Sequence, residues 1–308
     1  MDGILLLNKP KGMTSHDCVF KVRKLVKMKK VGHTGTLDPD VSGVLPICLG
    51  KATKIVEYVT AANKTYEGEV KIGFSTTTED ASGEMVEEKR VDRDITKDEV
   101  LKVLHSLTGE IIQTPPMYSA VKVNGKRLYE YARQGMVIER PSRKITIHKL
   151  ELLSDIVQSN NTVSFRFRVT CSKGTYVRTL AVQIGEKLGY PSHMSDLIRT
   201  SSGEFKLQQC MTLEELEIMV KNERIQEHLL SIEDALSHLP KLIINDKVAE
   251  KVKNGSVLPV PQELNQIQVG EPIATLHNGD ILAIYQRHPE KPNFIKPIKV
   301  LVNNQELK

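Results

Sequence analysis

The stretch TVSFRFRVTC, positions 162–171, alternates without a break: Val163, Phe165, Phe167, Val169 and Cys171 fall on one face, Ser164, Arg166, Arg168 and Thr170 on the other. Side chains of a strand point alternately to opposite faces, so this pattern predicts a long strand with one buried and one wetter face. Working outward, the turn SKGTYVRT leads into a predicted helix through Leu180, Ile184 and Leu188. Upstream, TYEGEVKIGF alternates Val70, Ile72 and Phe74 with polar residues, and VKVNGKRLY carries the Asn-Gly pair of a hairpin turn. Thr96 and Glu99 form a capping box before the helix VLKVLHSL, which Gly109 can stop. Near the start, DGILLLNKP reads as a strand closed by KPKG, after which Ser15 is expected to cap a helix through Val19, Val22, Leu25 and Val26. KATKIVEYVTAA reads as helical. Hairpin-like strands mixed with helices, rather than a strict βαβ repeat, predict an α+β fold with a mixed, mainly antiparallel central sheet flanked by helices.

A composition shift at SHLPKLIIND divides the 308-residue chain into an expected large unit, 1–238, and a small β-rich unit, 239–308, containing EPIATLHNGDILAIYQR and IKPIKVLV. Hydrophobic residues at 40% and charged residues at 26% are ordinary for a globular protein. The apolar run ILLL is too short for a targeting or membrane segment, so a cytoplasmic protein is expected. The four cysteines, at 18, 48, 171 and 210, are scattered without a C-x-x-C pair and suggest neither zinc nor disulfides. Residues 1–64 carry 11 Lys or Arg against 5 Asp or Glu, a basic excess able to steer a polyanion. A solvated lysine-rich helix end would leave the same mark.

Within that basic region lies GHTGTLDPD, 32–40. Gly32 and Gly35 permit close backbone approach and Pro39 restrains Asp38 to an extended conformation, so the loop can hold a carboxylate to catalytic tolerance. Taken alone, an Asp-Pro pair is far more often a polar turn. Phosphate-loop, G-x-S-x-G, H-E-x-x-H and G-x-G-x-x-G motifs are missing, and DVSG and DASG read as polar turns.

Five stretches, LLLNKPKGMTSHD, VGHTGTLDPDVSGVLPICLGKATK, KTYEGEVKIGFSTTTEDASGE, PPMYSAVKVNGKRLYEYAR and CSKGTYVRTLAVQIGEKLG, resemble in order and spacing the TruB family of bacterial pseudouridine synthases, over roughly positions 1–238. The C-terminal piece is similar to a PUA-like RNA-binding domain, mainly through NGDILAIYQR and IKPIKVLV. The resemblance implies isomerisation of uridine 55 in the T loop of tRNA to pseudouridine, by base flipping, with no cofactor, no metal, no membrane and no required protein partner, in a chain acting as a monomer. It assigns Asp38 as nucleophile, Tyr66 to stack on the base and assist proton removal at C5, and Arg178 to pair with Asp38. It further assigns His33, Tyr176 and Leu197 to the substrate, and Lys9, Pro10 and Gly12 to the motif bracing the loop. A non-catalytic tRNA-binding or RNA-folding protein on the same scaffold is the alternative.

Free Asp ionises near pKa ~3.9, full burial raises a carboxylate by about 3–5 units, and an adjacent Arg lowers it by about 1–3. Arg178 is therefore expected to keep Asp38 charged. Thr36 and the segment DVS at 40–42 depart from the usual family pattern. Asp40 is expected to point outward, since a second carboxylate in the pocket would raise the pKa of Asp38.

Overall fold

Strand Thr162–Cys171 forms over the whole predicted span, and every second residue of it is buried. The computed structural model describes residues 1–264 and 266–303; the last five positions of the expected 239–308 unit lie outside the described residues. The strand sits inside a ten-stranded sheet. Its main path runs Gly3–Lys9, Ser42–Leu49, Ser192–Ser202, Lys64–Ile72, Thr162–Cys171, Arg143–Leu152, Gly109–Gln113. Neighbours on this path are antiparallel except Ser192–Ser202 against Ser42–Leu49, which is parallel. The sheet is thus mixed and mainly antiparallel. Helices Ser15–Val26, Lys97–Ser106 and Val177–Leu188 join it in one core, through Cys18 and Val22, Val100 and Leu104, and Leu180 and Ile184.

The parallel junction requires a glycine. Gly43 is paired with Arg199 at φ 111°, and a Cβ there would come within 2.2 Å of the Arg199 carbonyl oxygen. No other residue type lets the two backbones approach so closely.

The helix cap differs from the expectation. Thr14 takes the capping position, its hydroxyl accepting from the Asp17 N–H at 3.0 Å while the Asp17 carboxylate accepts from the Thr14 N–H at 2.9 Å. Ser15 is the first helical residue, and its hydroxyl is engaged elsewhere: it accepts from the Leu37 N–H at 2.8 Å and donates to the Leu37 carbonyl. The helix start so fastens the residue preceding Asp38. Helix Lys97–Ser106 ends before Gly109, which opens the next strand at φ 101°. The segment expected to be one helix at 51–62 is a 3₁₀ turn, Gly50–Ile55, continued by one short α-helical stretch, Val56–Thr60. The Asn-Gly hairpin is present, with Asn124 and Gly125 at φ 51° and 84°.

A second sheet of five strands runs Lys241–Ile243, Ile273–His277, Asp280–Arg287, Phe294–Val300, Leu258–Pro259. It has its own apolar core around Tyr285, Ile273 and Val252. Its Ala274, Ile281 and Ile284 also pack with Ile4, Leu6 and Val44 of the first sheet.

Candidate active site

The Asp38 loop joins strand Val31–His33 to strand Ser42–Leu49. Three groups fix it from behind. Ser15 holds Leu37, as described. Lys9, wholly buried, donates from Nζ to the carbonyls of Pro10, Met13 and Pro39, the last at 3.0 Å. Gly12, at φ 82°, donates its N–H to the same Pro39 carbonyl at 2.9 Å. Burial lowers the pKa of the Lys9 ammonium. Lys9 and Gly12 therefore brace the loop, whereas Pro10 is exposed and contributes its carbonyl.

Asp38 opens on a cleft of about 860 Å³ that is also lined by Tyr66, Arg178, His33, Tyr176 and Leu197. Arg178 Nε lies 3.0 Å from Asp38 Oδ2, and the Arg178 side chain is 5% exposed against 41% for that of Asp38. The Nε–H is not aimed at the oxygen, so the contact is an ion pair rather than a linear hydrogen bond. The rest of the guanidinium is anchored: Nη1 donates to the Thr78 carbonyl at 2.8 Å and Nη2 to the Tyr118 carbonyl at 2.9 Å. A second carboxylate, Asp80, stands 3.7 Å from Nη1. Oδ1 of Asp80 accepts from the hydroxyls of Thr78 and Ser82, each at 2.6 Å, and from the Ser82 N–H.

One arginine thus serves two aspartates. Removal from water raises the pKa of Asp38, Arg178 opposes that, and Asp80 adds to the rise; the net direction is upward from the ordinary carboxylate value. Arg178 weakens the effect of enclosure without cancelling it. Asp38 keeps an open side toward the cleft, where an incoming substrate would displace water. Asp40 is exposed and does not line the cleft, as expected, yet its charge still adds to the rise at Asp38.

Tyr66, 8% exposed, projects from strand Lys64–Ile72, and burial pushes its phenol pKa up. Leu197, 5% exposed, faces it from the adjacent strand above Gly68, where a Cβ would approach Leu197 Cδ1 to 2.9 Å. Tyr176 is held at the start of helix Val177–Leu188 by Gln113, whose amide accepts from the Tyr176 N–H at 2.7 Å and donates to its carbonyl at 3.0 Å. The Arg143 guanidinium sits 5.1 Å from its ring centre. His33 is half-buried; desolvation and the Arg199 charge depress its pKa, favouring the neutral imidazole. Its Nδ1 is buried without a hydrogen-bond partner among the described residues.

Sequence reasoning misses Asp80, Lys64 and Arg199. Asp80 lies in DASG, which by itself looks like a polar turn. Lys64, on the same strand as Tyr66, donates to the carbonyls of Thr60 and Ala62 at 2.6 Å each, and burial pushes its pKa down to about 8. Arg199 has a signal in the sequence: it falls two residues after Leu197, in phase with a buried apolar position of a strand. Among the described residues no cluster of His, Cys, Asp or Glu is arranged to hold a metal, and no helix is long and apolar enough to cross a membrane.

Comparison with known proteins gives a consistent picture. Residues 23–177 match the TruB family pseudouridylate synthase N-terminal domain, and residues 178–237 match the tRNA pseudouridylate synthase B C-terminal domain. A tRNA pseudouridine synthase B of Bacillus cereus is 61% identical over 311 residues, covering 100% of both chains. That of Bacillus subtilis is 60% identical over 307 residues, covering 99% of each. Among solved structures, a chain in the crystal structure of a Cbf5-Nop10-Gar1 complex superposes with a TM-score of 0.75 at 30% identity, over 98% of this chain and 86% of that one.

Proposed function

Since this chain belongs to the TruB family of pseudouridylate synthases and is an enzyme of tRNA pseudouridylation, we propose that it isomerises uridine 55 of the T loop, with the base flipped into the cleft and Asp38 as nucleophile. The observation that carries the reading is the meeting of Asp38, Arg178 and Tyr66 in one cleft. In the net reaction the bond from ribose C1′ to base N1 breaks, the base turns, and a bond from C1′ to C5 forms. The C5 proton leaves and N1 takes one up, so no oxidant, phosphoryl group or metal enters the balance.

Each residue has a physical task in that sequence. Asp38 supplies the carboxylate, and Arg178 offsets part of the pull of enclosure toward the neutral acid. Leu197 and Tyr66 offer apolar walls to an extruded base, whose unstacking costs a few kcal/mol. Tyr66 is taken as the acceptor of the C5 proton, and a neutral His33 as the group that lies against the opened loop. Around the cleft mouth, Arg127, Arg143 and Lys173 offer cations to phosphates. Arg127 and Arg133 also stack on Tyr129 beside the Asn-Gly hairpin, 5.8 and 5.3 Å from its ring centre. We take residues 1–238 as the catalytic unit and 239–308 as a PUA-like unit that extends the RNA footprint; the chain acts as a monomer. A half-exposed carboxylate paired with a buried arginine that also reaches a second carboxylate favours chemistry over binding alone.

The test is to incubate the protein with an unmodified tRNA transcript and map pseudouridine along it by chemical derivatisation and primer extension. One modified site at position 55, formed without added metal or nucleotide, is the expected result. Modification elsewhere, or none, contradicts the reading.

A further inference from the structure

We propose that Arg199 is a positioning residue for the isomerisation, tying both stems of the Asp38 loop to Tyr66 and holding a positive charge against the phenol. The inference rests on the reading that Tyr66 receives the C5 proton.

Arg199 and Tyr66 are direct cross-strand partners in the antiparallel pairing of Ser192–Ser202 with Lys64–Ile72. Direct partners point to the same face, and both side chains line the cleft. Arg199 is 1% exposed and ranks among the bulkiest side chains that are fully buried. Its Nε donates to the Val44 carbonyl at 2.7 Å and its Nη2 to the Gly35 carbonyl at 3.3 Å. Gly35 precedes Asp38 by three residues and Val44 follows it by six, so the guanidinium spans the entry and exit of the loop. Gly43 lets the strand carrying Val44 close on the Arg199 backbone.

No carboxylate stands within ion-pair distance of Arg199 among the described residues; its acceptors there are backbone carbonyls. A neutral amide would bridge two carbonyls without bringing a charge out of water, at a smaller desolvation cost. The charge therefore calls for another explanation. Tyr66 provides one. The titratable groups acting most strongly on its phenol are Arg199 from the neighbouring strand, Cys171 from the strand on its other side, and Asp38 from the loop, while Lys64, two residues away on its own strand, also lines the cleft. Arg199 is the cation with the largest effect on it. Desolvation opposes ionisation of Tyr66 and Arg199 favours it.

The chemistry needs that bias. Once C5 is bonded to C1′, the C5–H bond must break, its electron pair restoring the C5–C6 double bond and its proton passing to an acceptor. A neutral phenol cannot accept it, whereas a phenolate can. A cation beside the oxygen makes that form accessible in a closed site. Arg199 does this without touching the substrate, and its carbonyl bonds keep the acceptor and the nucleophile loop in one frame.

The experiment is single-turnover pseudouridine formation on two tRNA transcripts, one with protium and one with deuterium at C5 of the target uridine. Wild type, Arg199→Gln, Arg199→Met, Arg199→Lys and Tyr66→Phe are compared. The neutral variants are expected to be slower by about 100-fold or more, the scale of losing one acid–base contribution. Their isotope effect is expected to exceed that of wild type, because C5–H cleavage becomes limiting. Arg199→Lys keeps the charge but not the planar reach, and should fall between wild type and Arg199→Gln in both readouts. Slow neutral variants with the wild-type isotope effect would reduce Arg199 to a structural tie and overturn the proposal. Should they fail to fold, Arg199→Lys decides: an isotope effect no larger than that of wild type overturns it at any rate. Tyr66→Phe turning over as fast as wild type would instead remove Tyr66 from proton transfer, a separate failure of the underlying reading.

Discussion

Arg178 and Arg199 are both almost wholly buried, 4% and 1% exposed, and both line the same cleft, yet they are held differently. Arg178 stands between two carboxylates, 3.0 Å from Asp38 and 3.7 Å from Asp80, with two loop carbonyls completing its shell. Arg199 has backbone carbonyls and, among the described residues, no acid. The contrast separates two uses of one side chain. With acids around it, a guanidinium sets which carboxylate is ionised. Without them, it adds net positive charge to whatever neutral group faces it, here a phenol.

The most severe way to break this contrast is Arg178→Met, which strips Asp38 of its ion pair and leaves Asp80 uncompensated. Turnover is expected to fall by about 10²–10⁴-fold. Arg178 is what pulls the pKa of Asp38 down, so the acid limb of the pH–rate profile should move to higher pH. Single-turnover rates across pH check this; a limb that stays where it was would show that Arg178 does not govern Asp38.

Asp80→Asn sharpens the same point with the opposite sign. Asn keeps acceptors for Thr78 and Ser82 but drops the charge that pushes Asp38 upward, so the acid limb should shift to lower pH. Loss of the electrostatic hold on Arg178, about 1–3 kcal/mol for an interaction with a charged group, should slow the step by roughly 5- to 150-fold. Rate and limb moving together in the Arg178→Met direction would contradict the two-carboxylate account.

The Arg199 wall is probed through its frame by Gly43→Ala. A Cβ at 2.2 Å from the Arg199 carbonyl, on a backbone at φ 111°, is expected to cost about 1–3 kcal/mol of stability. A urea midpoint unchanged from wild type would mean that the two strands do not meet so closely. The smallest effect belongs to Asp40→Asn. Asp40 is exposed and is the weakest of the charges named as acting on Asp38, so turnover should stay within about twofold of wild type and the acid limb should move to lower pH by less than in Asp80→Asn.

What can be read in advance follows from which forces are local. Strand Thr162–Cys171 is legible to the residue because burial on one face writes period two into the chain. Asp38 stands out because glycines and a proline surround it. The cap is misplaced by one position because Thr14 and Ser15 carry the same hydroxyl, and only the packing against Leu37 separates their tasks. Asp80 escapes notice because its partner, Arg178, is far along the chain and no spacing rule connects them. Arg199 shows only as a charge in a buried phase. Its meaning comes from the register that sets it opposite Tyr66, and strand register between distant segments is a property of the folded sheet.

The central claim is that an ionised Asp38, held by Arg178, performs the reaction. Its direct test is tritium release from a tRNA transcript labelled at uridine C5, comparing wild type with Asp38→Asn at equal occupancy of RNA. The account predicts that Asp38→Asn binds the transcript with near wild-type affinity and releases label at least about 10⁴-fold more slowly, as loss of a nucleophile does. Release by Asp38→Asn at the wild-type rate would contradict it.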